Sequence, residues 1–329
     1  MFNSQPTGYG GKNLQCRVLN FKKHNKKYKD NKITWTIRGS EMNEYIFINN
    51  IYADSKKALF PISSDCGFVF GDGLFETMKA RNGNIPSFDL HLDRLFSSML
   101  QLRYNTDFFT SENIRSAVFK LLLKNDLLGT DAYIKIVVTR SSYGHKLIFD
   151  PKSKPGLIIF AKKLMGYPDD FYKTGVNVFT CSIKRNAFGN DIYRHKLINY
   201  FENVLAKNEA AANQAQEALF TTRDKAVLEG AVSNLFTVKG GKVFTPPLTQ
   251  NILPGITRQL VIDICHKNKI KFAEKRIHYF NLLEADEVFL TNSIMEIMPV
   301  KRVDSYAVGL GAVPGPLTAK IHKLYRSMF

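Results

Sequence analysis

The chain has 329 residues, of which 44% are hydrophobic and 23% are charged. This length is enough for one large domain or two of medium size, and the composition is typical of a soluble globular protein. No apolar run approaches the roughly 20 residues that a membrane-spanning helix needs, so a membrane-spanning protein is not expected.

The four cysteines, Cys16, Cys66, Cys181 and Cys265, are scattered along the sequence. No pair has the spacing of a metal site or of a redox motif. The sequence therefore predicts no disulfide framework, no metal ion and a reducing, cytoplasmic location.

The formal net charge of +17 is distributed unevenly. Residues 1–42 contain nine Lys or Arg and two Asp or Glu, so this short leader carries +7 of the total. The leader has no apolar segment of the kind found in a secretory signal. We interpret it as a basic, disordered segment or as the product of an upstream start codon. The remainder has no obvious basic stripe, and its mild positive charge suits an anionic substrate or cofactor better than a nucleic acid.

A different class of function remains open at this point, that of a nucleic-acid-binding protein built on an inactive enzyme fold. The basic leader is the only feature that favours it. Deleting residues 1–41 would separate the two hypotheses, because an enzyme would keep its catalysis and would lose no binding of RNA or DNA.

The hydrophobic periods of residues 43–163 indicate alternating strands and helices. Asn-Asn within 45–52 and Asn82-Gly83 are both signals for tight turns. Predicted strands cover 45–52, 74–81, 132–140 and 155–161, and predicted helices cover 89–102 and 111–124. His91 and Arg94 stand near the start of the first helix, where positive charge is unfavourable unless an anion binds there. The alternative is a solvated pair on an exposed face.

Turn residues at 164–170 predict an interdomain linker. Strands are predicted at 176–182 and 217–222, with two strand-like runs in 227–238 and two in 288–300. Helices are predicted within 193–207, after the Pro-Gly at 254–255 and near the C-terminus. We therefore expect an N-terminal domain at 43–163 and a C-terminal domain at 171–329.

The segment Tyr193–Lys207 places Lys196 just ahead of an apolar pattern with helical spacing. The pattern predicts a helix with a buried stripe made of Leu197, Phe201, Val204 and Leu205. Tyr200 follows Lys196 by four residues and would lie near it on one helical face. Burial among apolar side chains lowers the pKa of a lysine and leaves a nucleophilic amine. The alternative is an ordinary surface lysine at a helix start.

Three further features of the second half carry possible chemistry. Glu229 is a single acid in an apolar run, so it either has a cationic or hydrogen-bonding partner or caps a turn in solvent. The Pro-Gly before Ile256 and Thr257 leaves helix-start amides free, and such amides bind phosphate readily. The polar stretch 291–293 separates two apolar runs, as a loop facing a site does, or as a simple turn does.

Taken together, these segments resemble the class IV aminotransferase family, the fold-type IV enzymes that depend on pyridoxal 5′-phosphate. The resemblance extends from about Tyr45 to Lys323 and rests on six motifs in the family's order. The motifs are Phe70–Thr77, His91–Leu95, Lys196–Tyr200, Glu229–Asn234, Leu253–Arg258 and Thr291–Val300. The resemblance implies an α/β (α+β) fold with a smaller N-terminal α/β domain and a larger, cofactor-binding C-terminal domain that has a β-barrel-like core.

The resemblance also implies a role for each matching residue. Lys196 matches the catalytic lysine that bonds covalently to the cofactor and then moves a proton. Glu229 matches the acid beside the pyridine nitrogen, and Arg94 matches the arginine that binds the phosphate. The other implied cofactor contacts are Tyr200 at the ring hydroxyl and Ile256, Thr257 and Ser293 at the phosphate.

The reaction depends on the substrate loop. Branched-chain aminotransferases carry Gly-Thr-Ala where this chain has residues 292–294, and arginine in place of Lys135. D-amino acid aminotransferases and aminodeoxychorismate lyases carry an arginine at about the place of His145, so the chain departs from both there. The Asn-Ser-Ile-Met stretch, Lys135 and the Gly-Asp-Gly-Leu-Phe-Glu-Thr opening look most like the lyases. The implied substrate contacts are Lys135, Arg140, His145, Asn292 and Ile294. The alternative for Arg140 is a surface residue at a strand end.

The resemblance therefore implies a 4-amino-4-deoxychorismate lyase, which releases pyruvate and p-aminobenzoate for folate synthesis. The alternatives are a branched-chain or a D-amino acid aminotransferase. Each of these enzymes takes a small anionic amine as its substrate. Relatives are commonly homodimers, so a homodimer is expected here.

Overall fold

The computed structural model describes residues 44–61, 63–140, 147–148, 150–189, 191–309 and 311–329. The predictions made for residues 1–42 and for His145 lie outside the described residues. Two β-sheets organise the rest of the chain, one of five strands and one of ten, and both belong to the compact unit Asn43–Phe329.

The smaller sheet is antiparallel throughout. Its strands are β1 (Tyr45–Ile48), β2 (Ile51–Asp54), β3 (Gly73–Ala80), β4 (Ala132–Thr139) and β5 (Gly156–Lys163), in the spatial order β2-β1-β5-β4-β3. The hairpin predicted at 45–52 is confirmed. Asn49 and Asn50 form its turn with φ values of 46° and 75°, the left-handed values that a two-residue turn requires.

Three helices accompany this sheet: α1 (Cys66–Phe70), α2 (Phe88–Gln101) and α3 (Ser111–Lys124). The predicted helices at 89–102 and 111–124 are therefore confirmed as α2 and α3. Their apolar stripes pack on one face of the sheet, where Ile134, Ile136 and Val138 of β4 are fully buried. Because side chains alternate along a strand, Tyr133 and Lys135 lie on the opposite face.

The larger sheet curls into a half-barrel. Its strands are β6 (Val176–Lys184), β7 (Glu217–Thr221), β8 (Ala226–Gly230), β9 (Asn234–Lys239), β10 (Lys242–Thr245), β11 (Phe272–Glu274), β12 (Ile277–His278), β13 (Glu287–Asn292), β14 (Glu296–Val303) and β15 (Tyr306–Ala307). The order is β11-β10-β9-β13-β14-β6-β7-β8-β12, and β15 pairs with β14. Strand β6 runs parallel to both of its neighbours, β14 and β7.

The helices of this half are α4 (Asp169–Thr174), α5 (Phe201–Ala212), α6 (Ile256–Lys267), α7 (Tyr279–Leu283) and α8 (Pro316–Arg326). Helices α6 and α8 pack together against the sheet, and Val261, Phe289 and Ile321 are fully buried between them. Within the described ranges, no helix is both long enough and apolar enough to cross a bilayer.

The structure corrects the helix predicted around Lys196. Lys196 itself lies in an extended segment, and α5 begins five residues later, at Phe201. The main-chain oxygen of Lys196 accepts a hydrogen bond from Phe75 N–H (2.8 Å), and Ile198 N–H donates to Gly73 O (3.0 Å). These bonds hold the segment against β3, so its backbone groups are satisfied without a helix.

The predicted buried stripe is wrong for the same segment. Phe201, Val204 and Leu205 are exposed, and the buried residues of α5 are Asn203, Ala206 and Ala210. Both sets recur at helical spacing, so periodicity could not choose between the two faces. Small side chains face inward, where α5 contacts strands β6 and β7.

Residues 164–170 lie between the last strand of the smaller sheet and the first strand of the larger one. We keep the division into 43–163 and 171–329, with 164–170 as linker, as a proposal about domains. The helix α4 begins inside the proposed linker, at Asp169.

Candidate active site

A cavity of about 430 Å³ lies where the two sheets face each other. Thr77 and Tyr133 of the smaller sheet line one side, and residues of the half-barrel line the other. Ligand pockets in proteins typically have about 300–1,000 Å³, so the cavity is large enough for a small-molecule site. The cavity wall includes every residue predicted to bind the cofactor: Arg94, Lys196, Tyr200, Glu229, Ile256, Thr257 and Ser293.

Lys196 presents its amine to this cavity. The Nζ atom lies 4.4 Å from the centroid of the Phe75 ring and 5.7 Å from that of Tyr200. Burial, followed by the charge of Arg94, lowers the pKa of Lys196 from 10.5 to about 8. A substantial neutral fraction near neutral pH makes this amine a nucleophile and a proton acceptor.

Gly73 allows the Lys196 segment to approach the smaller sheet this closely. A Cβ atom at Gly73 would lie 2.6 Å from Ile198 Cδ1 and 2.9 Å from Val138 O. Any side chain there would push residues 196–198 away from β3 and would move the Lys196 amine.

Glu229 lies on β8, lines the same cavity and is 7% exposed. Its carboxylate accepts hydrogen bonds from Arg185 Nη1 (3.2 Å), Leu253 N–H (3.0 Å) and Asn234 Nδ2 (3.4 Å). Burial raises the pKa of Glu229 to about 7, although Arg185 and the Leu253 amide oppose the rise. The group can therefore hold either a proton or a negative charge near neutral pH.

Arg94 reaches the cavity from α2, where a buried acid orients it. Glu76 is 1% exposed and accepts from Arg94 Nε and Nη2, each at 2.7 Å, while Arg94 Nη1 donates to Pro254 O at 2.9 Å. The Arg94 and His91 side chains lower the pKa of Glu76 to about 2 despite its burial. A guanidinium has five N–H donors, so two of them remain for an anion in the cavity.

The start of α6 supplies further donors. Gly255 precedes the helix and gives no side-chain cap, so the amides of Ile256 and Thr257 have no intrahelical acceptor. A Cβ atom at Gly255 would lie 1.9 Å from Asn234 Oδ1, so only glycine allows this approach. The neighbouring Thr291 hydroxyl lines the cavity, is fully buried and has no hydrogen-bond partner in the structure.

The turn between β13 and β14 contributes Asn292, Ser293 and Ile294. The Ser293 hydroxyl lies 3.2 Å from His91 Nε2. Asn292 Oδ1 accepts from the amides of Ile294 (2.8 Å) and Met295 (2.7 Å), and its Nδ2 donates to Val232 O (2.9 Å). Two backbone donors of the turn are thus already occupied by the chain itself.

Tyr200 lies between the two halves of the cavity. Its ring contacts Phe75 edge-to-face at 5.3 Å, and its hydroxyl donates to Ala231 O at 3.2 Å. Burial and the charge of Glu229 raise the pKa of Tyr200, so the phenol stays protonated and acts as a donor.

The residues predicted to contact substrate lie in different places. Lys135 is on the cavity face of β4, opposite Thr77 in the strand register, and its Nζ lies 4.5 Å from the Phe75 ring centroid. Arg140 is buried, where it donates to Asp72 Oδ2 (2.6 Å) and stacks on Tyr104 (3.8 Å). Lys135 is thus near the Phe75 ring that Lys196 also contacts, on the strand face that Tyr133 presents to the cavity, although it is not itself one of the residues of the cavity wall. Arg140 has its partners elsewhere.

Two residues of the site had no role assigned from the sequence. Glu76 is the single acid of β3, whose other residues are apolar or face outward. A lone acid in such a strand could have been recognised from the sequence as a candidate for the site. Arg185 directly follows β6 and is 5% exposed, with its guanidinium 3.5 Å from the Phe220 ring centroid. No motif or period marks it, because its partner Glu229 is 44 residues away.

The donor set fits pyridoxal 5′-phosphate. Lys196 can hold the aldehyde carbon, and Glu229 offers an acid for the ring nitrogen. Arg94, Ser293 and the start of α6 offer positive charge and N–H or O–H donors for a phosphate.

Comparison with known proteins places the chain in a family. Residues 73–303 match the family model described as amino-transferase class IV. The chain is 30% identical to the aminodeoxychorismate lyase of Bacillus subtilis over 283 residues, 85% of this chain and 93% of the relative. It is 32% identical to the D-alanine aminotransferase of Bacillus licheniformis over 257 residues, 78% of this chain and 87% of the relative.

A solved structure agrees with these sequence matches. The branched-chain amino acid aminotransferase of Escherichia coli superposes with a TM-score of 0.80 and 26% identity, over 87% of this chain and 95% of that one. The expected mixed α/β fold of type IV is confirmed. The chain belongs to the class IV aminotransferase family, whose members are enzymes that depend on pyridoxal 5′-phosphate.

Proposed function

We propose that the protein is a 4-amino-4-deoxychorismate lyase, which converts its substrate to p-aminobenzoate and pyruvate. The observation that carries the proposal is the position of Lys135. Its ammonium group contacts the same Phe75 ring as Lys196. No carboxylate of the described residues forms an ion pair with it, and burial lowers its pKa. A half-buried cation without an anion is costly, so an anionic group of the substrate is its expected partner.

The turn at 292–295 supports the same choice. In an α-amino acid the carboxylate and the amine share one carbon, so the carboxylate must be bound close to the reacting centre. In aminodeoxychorismate the ring carboxylate stands across a six-membered ring from the amine. Asn292 occupies the amides of Ile294 and Met295. The side chain of Lys135 can reach the more distant carboxylate.

The cofactor, when bound, supplies an electron sink for charge that develops at the carbon bearing the substrate amine. Lys196 Nζ removes the proton from that carbon, which its lowered pKa allows near neutral pH. The carbon–oxygen bond to the enolpyruvyl group then breaks and the ring becomes aromatic. The Lys196 ammonium returns a proton, and the released enolpyruvate becomes pyruvate.

The other residues orient this chemistry. Glu229, held by Arg185 and Leu253 N–H, would stabilise positive charge on the ring nitrogen of a bound cofactor. Arg94 and the start of α6 would hold the phosphate of the cofactor and so restrict its position relative to Lys196. The Tyr200 hydroxyl, which donates to Ala231 O in the structure, would be the donor available to the ring hydroxyl of the cofactor.

An amino acid transaminase, branched-chain or D-specific, is the second candidate. It is favoured by the relatives and structural neighbours named above, and it would use Lys196 and Glu229 in the same way. It differs only in what happens after proton removal, when the amine is transferred to a keto acid.

The test is product analysis with the purified protein. Aminodeoxychorismate without any keto acid should give p-aminobenzoate and pyruvate in equal amounts. Lys135→Met should raise KM more than it lowers kcat, whereas Lys163→Met, at the exposed end of β5, should change neither. A protein that makes no p-aminobenzoate but transfers amine from a D- or L-amino acid to a keto acid would refute the lyase.

Two coarser properties are also proposed. We infer a homodimer because relatives are commonly homodimers. Light scattering would test this by comparing the mass in solution with the mass of one chain, 37.4 kDa. We infer a cytoplasmic location because the cysteines in the described chain, Cys66, Cys181 and Cys265, are free. Fractionation of the source cells would test the location.

A further inference from the structure

A chain of three polar side chains runs behind the proposed phosphate site. Ser293 Oγ lies 3.2 Å from His91 Nε2, and His91 Nδ1 lies 2.7 Å from Glu76 Oε2. His91 is 2% exposed and Glu76 is 1% exposed, while Ser293 opens to the cavity. The buried histidine therefore joins the cavity wall to the acid that orients Arg94.

The ionisation of Glu76 determines which atoms of these three side chains donate and which accept. Glu76 is ionised and can only accept, so His91 Nδ1 carries a proton and donates to it. If His91 is neutral, Nε2 is an acceptor and must receive the Ser293 hydroxyl proton. In that state Ser293 has no proton to offer to a ligand in the cavity.

A phosphate dianion has only acceptor oxygens, so Ser293 can bind it only as a donor. The hydroxyl could turn from His91 to the phosphate, but a buried Nε2 without a partner costs about 1–3 kcal/mol. The alternative is a proton on Nε2. The imidazolium then donates to Ser293 Oγ, and Ser293 donates onward to the phosphate, so every group on the chain has a partner.

We propose that His91 is a positioning residue that takes up a proton when the cofactor phosphate binds, and thereby turns the Ser293 hydroxyl from His91 toward the phosphate. The proposal rests on the placement of the phosphate at Ser293. It does not depend on which reaction the enzyme performs.

The charges around His91 agree with a change of state on binding. In the cofactor-free chain burial lowers the pKa of His91, with Arg94 and Lys196 acting in the same direction and Glu76 opposing them. A bound phosphate would add negative charge on the side of His91 where Arg94 and Lys196 lie, and this charge would oppose their effect on the pKa of His91. The small cavity beside His91 also has Lys79, Arg81, Glu296 and Tyr325 in its wall. Among these, Glu296 pairs with Lys79 and Arg81, and the Tyr325 hydroxyl is hydrogen-bonded to the Thr257 side chain.

The experiment is nuclear magnetic resonance of protein labelled with 15N at histidine, at neutral pH, with and without pyridoxamine 5′-phosphate. This form of the cofactor has no aldehyde, so Lys196 cannot bond to it. His91→Asn identifies the His91 signals, and His91→Gln serves if the first variant does not fold. The expected result is one protonated ring nitrogen in the free protein and two in the complex. A single protonated nitrogen in the complex would overturn the proposal.

Two variants test whether the proton uptake by His91 needs the hydrogen bond to Ser293 or only the negative charge of the ligand. In Ser293→Ala the Nε2 proton has no acceptor, so the proton uptake by His91 should fall to less than half. Full uptake in this variant would show that Ser293 has no part in it. His322→Asn changes a half-buried histidine that is not one of the three hydrogen-bonded side chains, and it should leave the His91 signals unchanged.

The affinity gives a second readout. If one proton is coupled to binding, the Kd for pyridoxamine 5′-phosphate should rise up to about tenfold per pH unit between the pKa of His91 in the free protein and its higher pKa in the complex. The His91→Asn variant should lack this component, and an identical pH dependence in both proteins would contradict the proposal. Neither readout involves substrate, so failure of the lyase assignment would leave both outcomes interpretable.

Discussion

Replacement of Glu76 by Gln tests whether Arg94, the arginine proposed to bind the phosphate, is held by a buried charge. The pKa of Glu76 falls from 4.5 to about 2, which corresponds to about 3 kcal/mol of stability at neutral pH. Because the folded-state pKa is depressed, this stability is present above pH 4.5 and is lost as the pH falls toward 2. Glu76→Gln removes the negative charge but keeps the size of the side chain, so it should lower the free energy of unfolding by about that amount.

The assay is urea unfolding of the cofactor-free protein at pH 7. The matched control is Glu112→Gln, because Glu112 is an exposed acid in the first turn of α3. The control should change stability by less than about 0.5 kcal/mol. The difference between Glu76→Gln and the wild type should also shrink below pH 4.5. A variant at Glu76 that is as stable as the control would refute the assignment of a buried ion pair to this site.

Three further predictions concern the cavity. Attachment of the cofactor aldehyde to Lys196 should rise with pH through about 8, because only the neutral amine reacts; a visible-absorbance titration measures it, and a flat profile would contradict the lowered pKa. Gly255→Ala should weaken cofactor binding at least about tenfold because its Cβ would displace Asn234, whereas Gly129→Ala, which has open space around it, should not. Glu229→Gln should keep the cofactor but lower kcat by about 100-fold or more, since an amide cannot stabilise charge on the ring nitrogen; steady-state kinetics would expose a smaller effect.

The sequence singled out Lys196 as the lysine of the cofactor, which stays a prediction, and the helix predicted around it is wrong. The family motif located the lysine, whereas periodicity predicted a helix that begins only at Phe201. The extended segment exists because Phe75 and Gly73 of a distant strand bond to its backbone. A pattern within fifteen residues contains no information about a partner more than 100 residues away.

The same limit applies to the electrostatics of the site. Glu229 was predicted to need a cationic partner, but nothing in the sequence singled out Arg185 from the other 45 basic residues. Elements with strong local signals were predicted well: the Asn-Asn hairpin of β1 and β2 and the helix α3 with its Thr110 cap both depend on neighbouring residues. Pairings between sheets depend on the fold as a whole.

Chemical location of the cofactor would show whether Lys196 is the residue that holds it. The protein is saturated with pyridoxal 5′-phosphate, reduced with borohydride, digested and examined by mass spectrometry. We expect one phosphopyridoxyl group per chain, on the peptide that contains Lys196, and none on Lys135. Attachment at another lysine, or at no lysine, would contradict the assignment of Lys196 as the catalytic residue of this cavity.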